Sequence, residues 1–341
     1  MCQNPFAPLF DYVRALVGDG PAQLPSAVLG VADANGVIEV QAFRAREDSI
    51  YLLFSVTKPI IGIAVAQLWE RGQIGLYDSL QRYIPDFGQT RSDTVTIWHL
   101  LTHTSGIDQS VADLVRQTLP EGILTPHQAL VSAPAQFPAG AYKLYNNLAF
   151  VGLQEVIEAV TGQPLEAVLA QQIFEPLGMR DTSFVAHEAA PDRTMPTHGT
   201  EGVLDYPRYL RLKTPAGGLF STAADLLALG RALLNGGALN GKRILAPLTL
   251  RAMTTPHTTG IPPLKKGEEF IGSEVGLTWM LPVSHMDYIV RTQYGHDGWG
   301  GCMFWVYPEQ GVCFVLLTNL LSPERRGVML DRLHNVFAAC L

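Results

Sequence analysis

The sequence of 341 residues predicts an α+β fold in which helices flank an antiparallel β-sheet and an all-helical domain is inserted into the sheet domain. Three observations support this prediction. β-Rich segments lie towards both ends of the chain, helical patterns fill its middle, and hydrophobic residues make up 47% of the sequence against 16% for charged residues. We therefore expect residues 1–75 and 211–341 to form the sheet domain and residues 76–210 to form the helical insertion.

The N-terminal part predicts a helix, two strands and a buried helix. Residues 5–17 have the apolar spacing of an amphipathic helix, and two β-rich runs then flank Ala34-Asn35-Gly36, which favours a hairpin turn. The segment SVTKPIIGIAVAQLWERG begins at Ser55 and is apolar nearly all round, so it predicts a largely buried helix. Pro59 falls in its first turn, where a missing N–H costs little, and Gly72 ends it.

Helical patterns and loops, without a strong strand pattern, occupy residues 75–210. The helical segments are TIWHLLTH, VADLVRQTL, HQALVSA, NNLAFVGLQEVIEAVTG and PLEAVLAQQIF. A further helix, STAADLLALGRALLNGG, follows with Ser221 or Thr222 as its N-cap and Gly236-Gly237 as its end.

The C-terminal third is β-rich and predicts an antiparallel meander. Its four predicted strands are GLTWML, DYIVRTQY, GCMFWVY and VCFVLLTN. Pro308-Glu309-Gln310-Gly311 predicts the turn between the last two strands, and a helix from about residue 323 to 339 closes the chain.

Charge and cysteine content restrict the function classes. The formal net charge of −7 disfavours binding to nucleic acid or another polyanion. The first twenty residues lack the features of a secretory signal, and no stretch has the roughly 18 uncharged apolar residues of a membrane span, so we expect a cytoplasmic protein. The four cysteines are too sparse for a disulfide framework and are interpreted as free thiols.

Ser55 and Lys58 form Ser-x-x-Lys at the start of the buried helix, a spacing that places both side chains on one helical face. A serine hydroxyl becomes a strong nucleophile when a neighbour accepts its proton, and an ammonium group one turn away can hold or polarise that acceptor. The helix N-terminus adds positive potential where negative charge develops on a substrate. The alternative is an N-cap serine followed by a lysine whose stem covers apolar surface.

Tyr145-Asn146-Asn147 is the second candidate element, where a Pro-Ala-Gly loop at residues 138–140 leads into a helix. A neighbouring ammonium group would stabilise a phenolate at Tyr145, which would take the serine proton and return it to the leaving group. Asn147 would orient Lys58 or donate to a substrate carbonyl. The alternative is a half-buried aromatic residue and a helix cap.

The third element is Gly295-His296-Asp297-Gly298-Trp299-Gly300-Gly301, which runs into an apolar strand at residues 302–307. Glycines beside a strand indicate close approach of another backbone or of a ligand. A substrate acyl group would lie against such an edge, and the backbone N–H of Trp299 would join that of Ser55 as an oxyanion hole. The alternative is a glycine-rich turn with a solvated histidine.

In this order the three elements resemble the serine β-lactamase and penicillin-binding-protein superfamily, in particular its branch of class C β-lactamases, family VIII carboxylesterases and D,D-carboxypeptidases. The resemblance covers most of the chain and includes HLLTHTSGI, FEPLGM and PAGGLFSTAADLLALGRALL. It implies a β-lactamase/transpeptidase-like fold with the active site in the cleft between the two domains. It also implies an acyl-Ser55 intermediate, Lys58 and Tyr145 as the general base system, and no metal or other cofactor.

Asp297 departs from the family pattern, which usually has Lys-Thr-Gly, His-Thr-Gly or a similar triad at this place. The basic and hydroxyl side chains of that triad help to receive a substrate carboxylate, which an ionised Asp297 would repel. We therefore expect a carboxylesterase for small neutral esters, with β-lactamase or D,D-peptidase activity as the alternative. On this interpretation Asp297→Thr shifts activity towards β-lactams. The alternative is that Asp297 is salt-bridged to His296 or to an arginine such as Arg291, points away from the substrate and does not affect specificity. The expected partner is a small ester or amide, and the sequence does not fix the oligomeric state.

Five other residues allow more than one interpretation. His99 and His103 have the i, i+4 spacing of zinc-binding histidines, but Leu100 stands where His-Glu-x-x-His has its glutamate, and the resemblance makes His103 structural. Cys302 is expected to be a small buried residue, and Trp279 and Trp299 either pack in the core or line an acyl pocket. A catalytically silent binding or regulatory protein with this fold is the remaining alternative.

Overall fold

The computed structural model describes residues 4–89, 91–110, 124–264, 274–281, 292–321, 328, 330 and 332–341. Its main sheet has five strands, each antiparallel to its neighbours, in the order β2-β1-β9-β8-β7. β3 pairs with β4 and β5 with β6 in two small sheets. The strands of the described residues are β1 (Ala27–Asp33), β2 (Val37–Phe43), β3 (Tyr51–Leu52), β4 (Phe220–Ser221), β5 (Ala238–Leu239), β6 (Lys242–Arg243), β7 (Tyr294–Asp297), β8 (Met303–Tyr307) and β9 (Val312–Thr318).

Helices account for most of the remaining regular structure, so the predicted α+β class is confirmed. In the described ranges they are α1 (Ala7–Leu16), α2 (Thr57–Glu70), α3 (Ile97–Leu101), α4 (Pro126–Ser132), α5 (Leu148–Thr161), α6 (Leu165–Leu169), α7 (Glu175–Leu177), α8 (Ala186–Ala189), α9 (Tyr206–Arg211), α10 (Ala223–Leu234), α11 (Pro247–Met253) and α12 (Leu333–Ala338). A π-helical turn, Ala170–Phe174, separates α6 from α7, and 3₁₀ helices lie at Phe54–Val56, Leu80–Arg82 and Pro191–Arg193.

Strand β1, which lies between β2 and β9, is buried on both faces. Its successive side chains point in opposite directions, so Leu29 packs in one apolar cluster with Phe10 of α1, whereas Val28 packs in another with Ile61 of α2 and Leu226 of α10. Helices therefore cover both faces of the main sheet, which makes β1 a nearly continuous hydrophobic run.

α2 is the buried helix that the sequence predicts. All residues from 57 to 68 are buried, and Gly72 follows the helix with a φ of +69°, a conformation that glycine adopts readily. The predicted helix begins at Ser55, but in the structure this serine belongs to the 3₁₀ turn Phe54–Val56 that precedes α2.

β7, β8 and β9 form an antiparallel meander with the predicted turn at residues 308–311. β7 begins at Tyr294, the last residue of the predicted strand DYIVRTQY, and continues through Asp297. His296 pairs with Phe304 and Asp297 pairs with Met303. Since cross-strand partners share a face of the sheet, His296 lies on the face of Phe304, and Asp297 lies on the opposite face with Met303.

The prediction of a strand at GLTWML is wrong. Thr278 has a φ of +68°, and the N–H of Gly276 donates to the carbonyl of Trp279, so the chain turns here. Isolated bridges such as Met280 to Gly295 replace a strand. The apolar residues of this segment reflect burial, since Leu277 and Trp279 belong to the core.

Some predicted elements lie partly or wholly outside the described residues. The segment VADLVRQTL at 111–119 is outside them, as are residues 287–291 of DYIVRTQY and Arg291, the arginine considered as a partner for Asp297. The described end of the chain contains α12 within the predicted last helix. Of the two N-caps expected for α10, the structure has Thr222, whose side chain accepts from the N–H of Asp225.

Residues 76–210 contain helices and isolated bridges but no strand in the parts that the structure describes. The division into a sheet domain and an inserted helical domain stays a prediction. None of the helices seen in the described ranges is both long enough and apolar enough to span a membrane.

Candidate active site

Ser55 lies in the 3₁₀ turn before α2, partly exposed between buried neighbours. Phe54, directly before it, has a φ of +47°, a left-handed conformation that is strained for a bulky residue. Such strain costs on the order of 1–3 kcal/mol and persists where surrounding packing imposes it, often at functional sites. No sequence signal predicts this backbone conformation of Phe54.

Lys58 is fully buried and brings three segments of the chain together. Its Nζ donates to Ser55 Oγ at 3.0 Å, to Asn147 Oδ1 at 2.8 Å and to the carbonyl oxygen of Ala216 at 2.7 Å. These three acceptors match the three N–H bonds of an ammonium group. Of the two roles considered for Asn147, the structure shows the contact with Lys58.

Tyr145 lies beside the same lysine. Lys58 Nζ is 4.7 Å from the centre of the Tyr145 ring, and the buried imidazole of His103 stacks on that ring with centroids 4.7 Å apart. The ring of His296 lies 6.2 Å from that of Tyr145, and the Tyr145 hydroxyl oxygen is buried. Residues from three distant segments, which sequence reasoning singled out separately, are therefore neighbours.

His296 is a buried, neutral imidazole. Its Nδ1 donates to the carbonyl oxygen of Asp297 at 2.7 Å, which leaves the lone pair on Nε2. Burial, together with the positive charge of Lys58, lowers the pKa of His296 to about 3. The alternative of a solvated histidine at this turn is therefore wrong.

The placement of Asp297 favours the second of the two roles considered for it, a side chain that points away from the substrate. Its Oδ1 accepts a hydrogen bond from Trp305 Nε1 at 2.7 Å, on the face of the sheet opposite to His296. The carboxylate oxygen is thus held by a tryptophan on the opposite sheet face from His296. The alternation of side chains along β7 is the physical reason, and knowledge of the exact strand register was needed to find it.

The glycines of the third element allow close contact with the segment that carries Ser55. A methyl group on Gly298 would lie 2.2 Å from the carbonyl oxygen of Leu53, and one on Gly300 would lie 3.0 Å from the Phe54 ring. Between them, the Trp299 ring packs edge-on to Phe54 with centroids 6.2 Å apart. The loop between β7 and β8 therefore packs directly against the strained turn before Ser55.

Sequence reasoning missed two groups of this site. Ala216 contributes a backbone carbonyl to Lys58, which no side-chain pattern reveals. Gln109 donates from Nε2 to the carbonyl of Tyr145 at 2.9 Å and accepts the N–H of Asn147 at 2.9 Å. In the sequence, the signal for Gln109 was its position as a polar residue just after the HTSGI segment.

The residues weighed as alternatives have other surroundings. Trp279 is a fully buried core residue against Tyr294. Cys302 donates to the carbonyl of Thr318, and burial raises the pKa of its thiol to about 12, so it stays protonated. Nδ1 of His99 and Nδ1 of His103 accept backbone N–H groups from different segments. The described residues include no cluster of three His, Cys, Asp or Glu side chains suited to a metal ion.

Comparisons with known proteins agree with this geometry. The Beta-lactamase family model matches residues 13–339. Esterase EstB of Burkholderia gladioli is 40% identical over 185 residues, which cover 48% of this chain and 46% of EstB. This chain thus matches less than half the length of EstB. A putative D-alanyl-D-alanine carboxypeptidase of Escherichia coli K12 is 26% identical over 328 residues, which cover 83% of this chain and 72% of the relative. The structure of a penicillin-binding protein homologue from Caulobacter crescentus superposes with a TM-score of 0.78 at 21% identity, covering 100% of this chain and 99% of that chain, and so shares the fold.

Proposed function

Because the chain belongs to the Beta-lactamase family, we propose that it is a serine hydrolase in which Ser55 is acylated by small neutral esters. The observation that carries this proposal is the hydrogen bond from fully buried Lys58 Nζ to partly exposed Ser55 Oγ at 3.0 Å. Burying an ammonium group costs free energy unless it is well hydrogen-bonded, so packing alone does not account for a lysine in this position. Activation of a serine nucleophile does account for it.

In the proposed mechanism, Ser55 Oγ attacks the ester carbonyl carbon while its proton passes to the pair formed by Tyr145 and Lys58. The ammonium group is 4.7 Å from the Tyr145 ring centre, close enough to stabilise negative charge that develops on the phenol oxygen. The bond to the alkoxy group then breaks, and the pair returns the proton to the departing alcohol. Water attacks the acyl-enzyme by the reverse sequence, which releases the acid and restores Ser55. The acceptor is either Tyr145 as a phenolate beside the ammonium form of Lys58, or Lys58 as a neutral amine, because an ammonium group has no lone pair and a neutral phenol is a very weak base.

The proposed oxyanion hole consists of the backbone N–H groups of Ser55 and Trp299. The close packing of Gly298 on Leu53 supports it, because this contact fixes the Trp299 loop beside the turn that carries Ser55. Two preorganised N–H donors stabilise the negative oxygen of a tetrahedral intermediate more strongly than its ester ground state.

Neutral esters are the proposed substrate class because the third element offers no positive charge. His296 stands at the basic position of this element, and its pKa of about 3 keeps it uncharged at neutral pH. Lys58 already donates to three protein acceptors. The partial match to EstB, named as an esterase, supports the same class.

Hydrolysis of D,D-peptides or β-lactams is the second candidate. The relative of E. coli, named as a putative D-alanyl-D-alanine carboxypeptidase, matches 83% of this chain and favours it. A panel of p-nitrophenyl acetate and butyrate, nitrocefin and a D-Ala-D-Ala peptide decides between the candidates. Faster turnover of nitrocefin or the peptide than of both esters would contradict the proposed substrate class.

Labelling of Ser55 tests the mechanism directly. We expect a fluorophosphonate to add one mass adduct to the wild-type protein and none to Ser55→Ala, whereas the exposed Ser132→Ala serves as a control that labels normally. Tyr145→Phe should lower ester kcat about 100-fold, as loss of a positioned acid or base typically does. An unlabelled wild-type protein without esterase activity would instead support the silent binding protein.

The proposed location is the cytoplasm. Its support is the cysteine chemistry: Cys302, Cys313 and Cys340 are free thiols, and burial raises the pKa of the Cys302 and Cys313 thiols to about 12. Free thiols are usual in reducing compartments. Fractionation of the cells that make the protein, with detection by fluorophosphonate labelling, tests this location, and recovery of the label outside the cytoplasm would contradict it.

A further inference from the structure

We propose that His103 is a positioning residue that holds Tyr145 beside Lys58 and Ser55, an inference that rests on the proposed function of Tyr145. His103 lies just after α3, about forty residues before Tyr145, and its side chain is almost fully buried, with 1% exposed. The sequence alone indicates only a structural or metal-binding role for this histidine.

Both chain neighbours of Tyr145 are hydrogen-bonded to this one histidine. The N–H of Leu144 donates to the carbonyl oxygen of His103 at 2.9 Å, and the N–H of Asn146 donates to its Nδ1 at 3.0 Å. The imidazole plane then stacks on the Tyr145 ring, with centroids 4.7 Å apart and 26° between the planes. His103 thus restrains both the backbone and the ring of Tyr145.

The backbone of His103 is itself fixed by the end of α3. The N–H of Thr104 donates to the carbonyl of His99, and the N–H of His103 donates to that of Leu100, which is the Schellman pattern of a helix end. His103 has a φ of +58° at the position that is usually glycine in this pattern. Glycine would adopt this conformation with less strain. We therefore attribute the presence of a histidine here to the contacts of its side chain.

The contacts also fix the tautomer of His103. Because Nδ1 accepts a hydrogen bond, the imidazole carries its proton on Nε2. Burial, followed by the charges of Lys58 and of His296, keeps the pKa of His103 well below its usual value, so the ring that stacks on Tyr145 is uncharged. Lys58 is then the cation that contacts this tyrosine ring in the described structure.

Three variants separate positioning from general stability. His103→Asn keeps an acceptor close to the Nδ1 position and tolerates positive φ, whereas His103→Phe keeps a ring but lacks the acceptor for the Asn146 N–H. His99→Asn is the matched control. His99 belongs to α3 and its Nδ1 also accepts a backbone N–H, from Thr96 at 3.0 Å, but it makes no ring contact with Tyr145 among the described residues.

The measurement is ester kcat and KM per active site, with active sites counted by fluorophosphonate labelling of the full chain. We expect His103→Phe to lower kcat per labelled site by about 10-fold to 100-fold, as a displacement of about 1 Å does, with little change in KM. His103→Asn should recover kcat to within about 5-fold of wild type, and His99→Asn should leave it unchanged. Equal kcat per site in all four proteins would overturn the proposal, even if His103→Phe yields less folded protein.

A readout that does not need turnover distinguishes this proposal from the proposed function. In protein labelled with 3-fluorotyrosine, Tyr145→Phe identifies the ¹⁹F NMR signal of Tyr145. We expect one narrow signal in the wild type, His99→Asn and His103→Asn, and a broadened or split signal in His103→Phe. One narrow, unshifted signal in His103→Phe would refute the role of His103, whereas a wild type that is neither labelled nor active would refute the function alone.

Discussion

Asp297 and His296 show how two adjacent residues of one strand reach different environments. His296 faces Tyr145, whereas the Asp297 carboxylate binds Trp305 Nε1 at 2.7 Å on the other face of the sheet. Trp305 is fully buried, and hydrogen bonds to charged groups contribute roughly 1.5–3 kcal/mol to stability. We therefore expect Asp297 to support the sheet rather than substrate selection.

The expected result for Asp297→Thr differs from the one that sequence reasoning suggests. We expect the ratio of ester to nitrocefin turnover to stay within about twofold, because the charge lies on the far face, and the free energy of unfolding to fall by about 1–3 kcal/mol through loss of the Trp305 contact. Parallel kinetic assays and urea unfolding measure both quantities. A tenfold shift towards nitrocefin at unchanged stability would show that the carboxylate acts on the substrate.

At the scale of secondary-structure elements, the hairpin of β7 and β8 packs closely against the segment that carries Ser55. A Cβ atom added to Gly298 would lie 2.2 Å from the carbonyl oxygen of Leu53. Contacts this short are essentially repulsive, so any side chain there must displace the hairpin or the turn before Ser55.

Gly298→Ala is therefore expected to lower ester kcat about 100-fold or more, because a shift of about 1 Å at reacting groups has an effect of this size. Gly36→Ala is the matched control: Gly36 lies in the turn between β1 and β2, and a methyl group there meets nothing within 4 Å. Kinetics of both variants per labelled site, with circular dichroism to confirm folding, make the comparison. Normal kcat in Gly298→Ala would show that the hairpin does not need this close approach.

Local sequence patterns predicted the elements whose residues all favour the same secondary structure. They failed where contacts with distant segments determine the backbone conformation. The β1–β2 hairpin and α2 follow from a turn signal and from an all-round apolar helix, and both are confirmed. The turn at Thr278 was missed because its N–H bonds to the carbonyl of Leu101 in a distant segment. Three motifs found the residues around Lys58, but the orientation of Asp297 and the strain at Phe54 depend on strand register and packing.

At the scale of the whole molecule, three buried histidines among the described residues couple stability to pH. Burial lowers the pKa of His103 well below its usual value and that of His296 and His334 to about 3. Their neutral forms favour the folded state. This contribution is complete above the unfolded pKa of about 6.5 and is lost as the pH falls towards 3.

We therefore expect the free energy of unfolding to decrease below pH 6.5 by up to about 1.4 kcal/mol per pH unit for each of these histidines. His334→Phe should reduce that slope by about one histidine's share, whatever its effect on stability at pH 7. His127 gives the opposite sign, because Glu155 raises its pKa and protonation favours the folded state. Urea unfolding between pH 7 and pH 4.5 measures the slopes, and identical slopes for wild type and His334→Phe would contradict this assignment.

The order of strands in the main sheet has a consequence for synthesis of the chain. β1 pairs with β9 from Ala27 opposite Thr318 to Asp33 opposite Val312, so β1 receives its second neighbour only after the residues between 33 and 312 have been synthesised. At about 5–20 residues per second this interval lasts on the order of tens of seconds. During this time one edge of a very hydrophobic strand has no native partner and is open to pairing with other nascent chains. We therefore expect the yield of folded protein to depend more on chaperone protection of this edge during translation than on the stability of the finished fold.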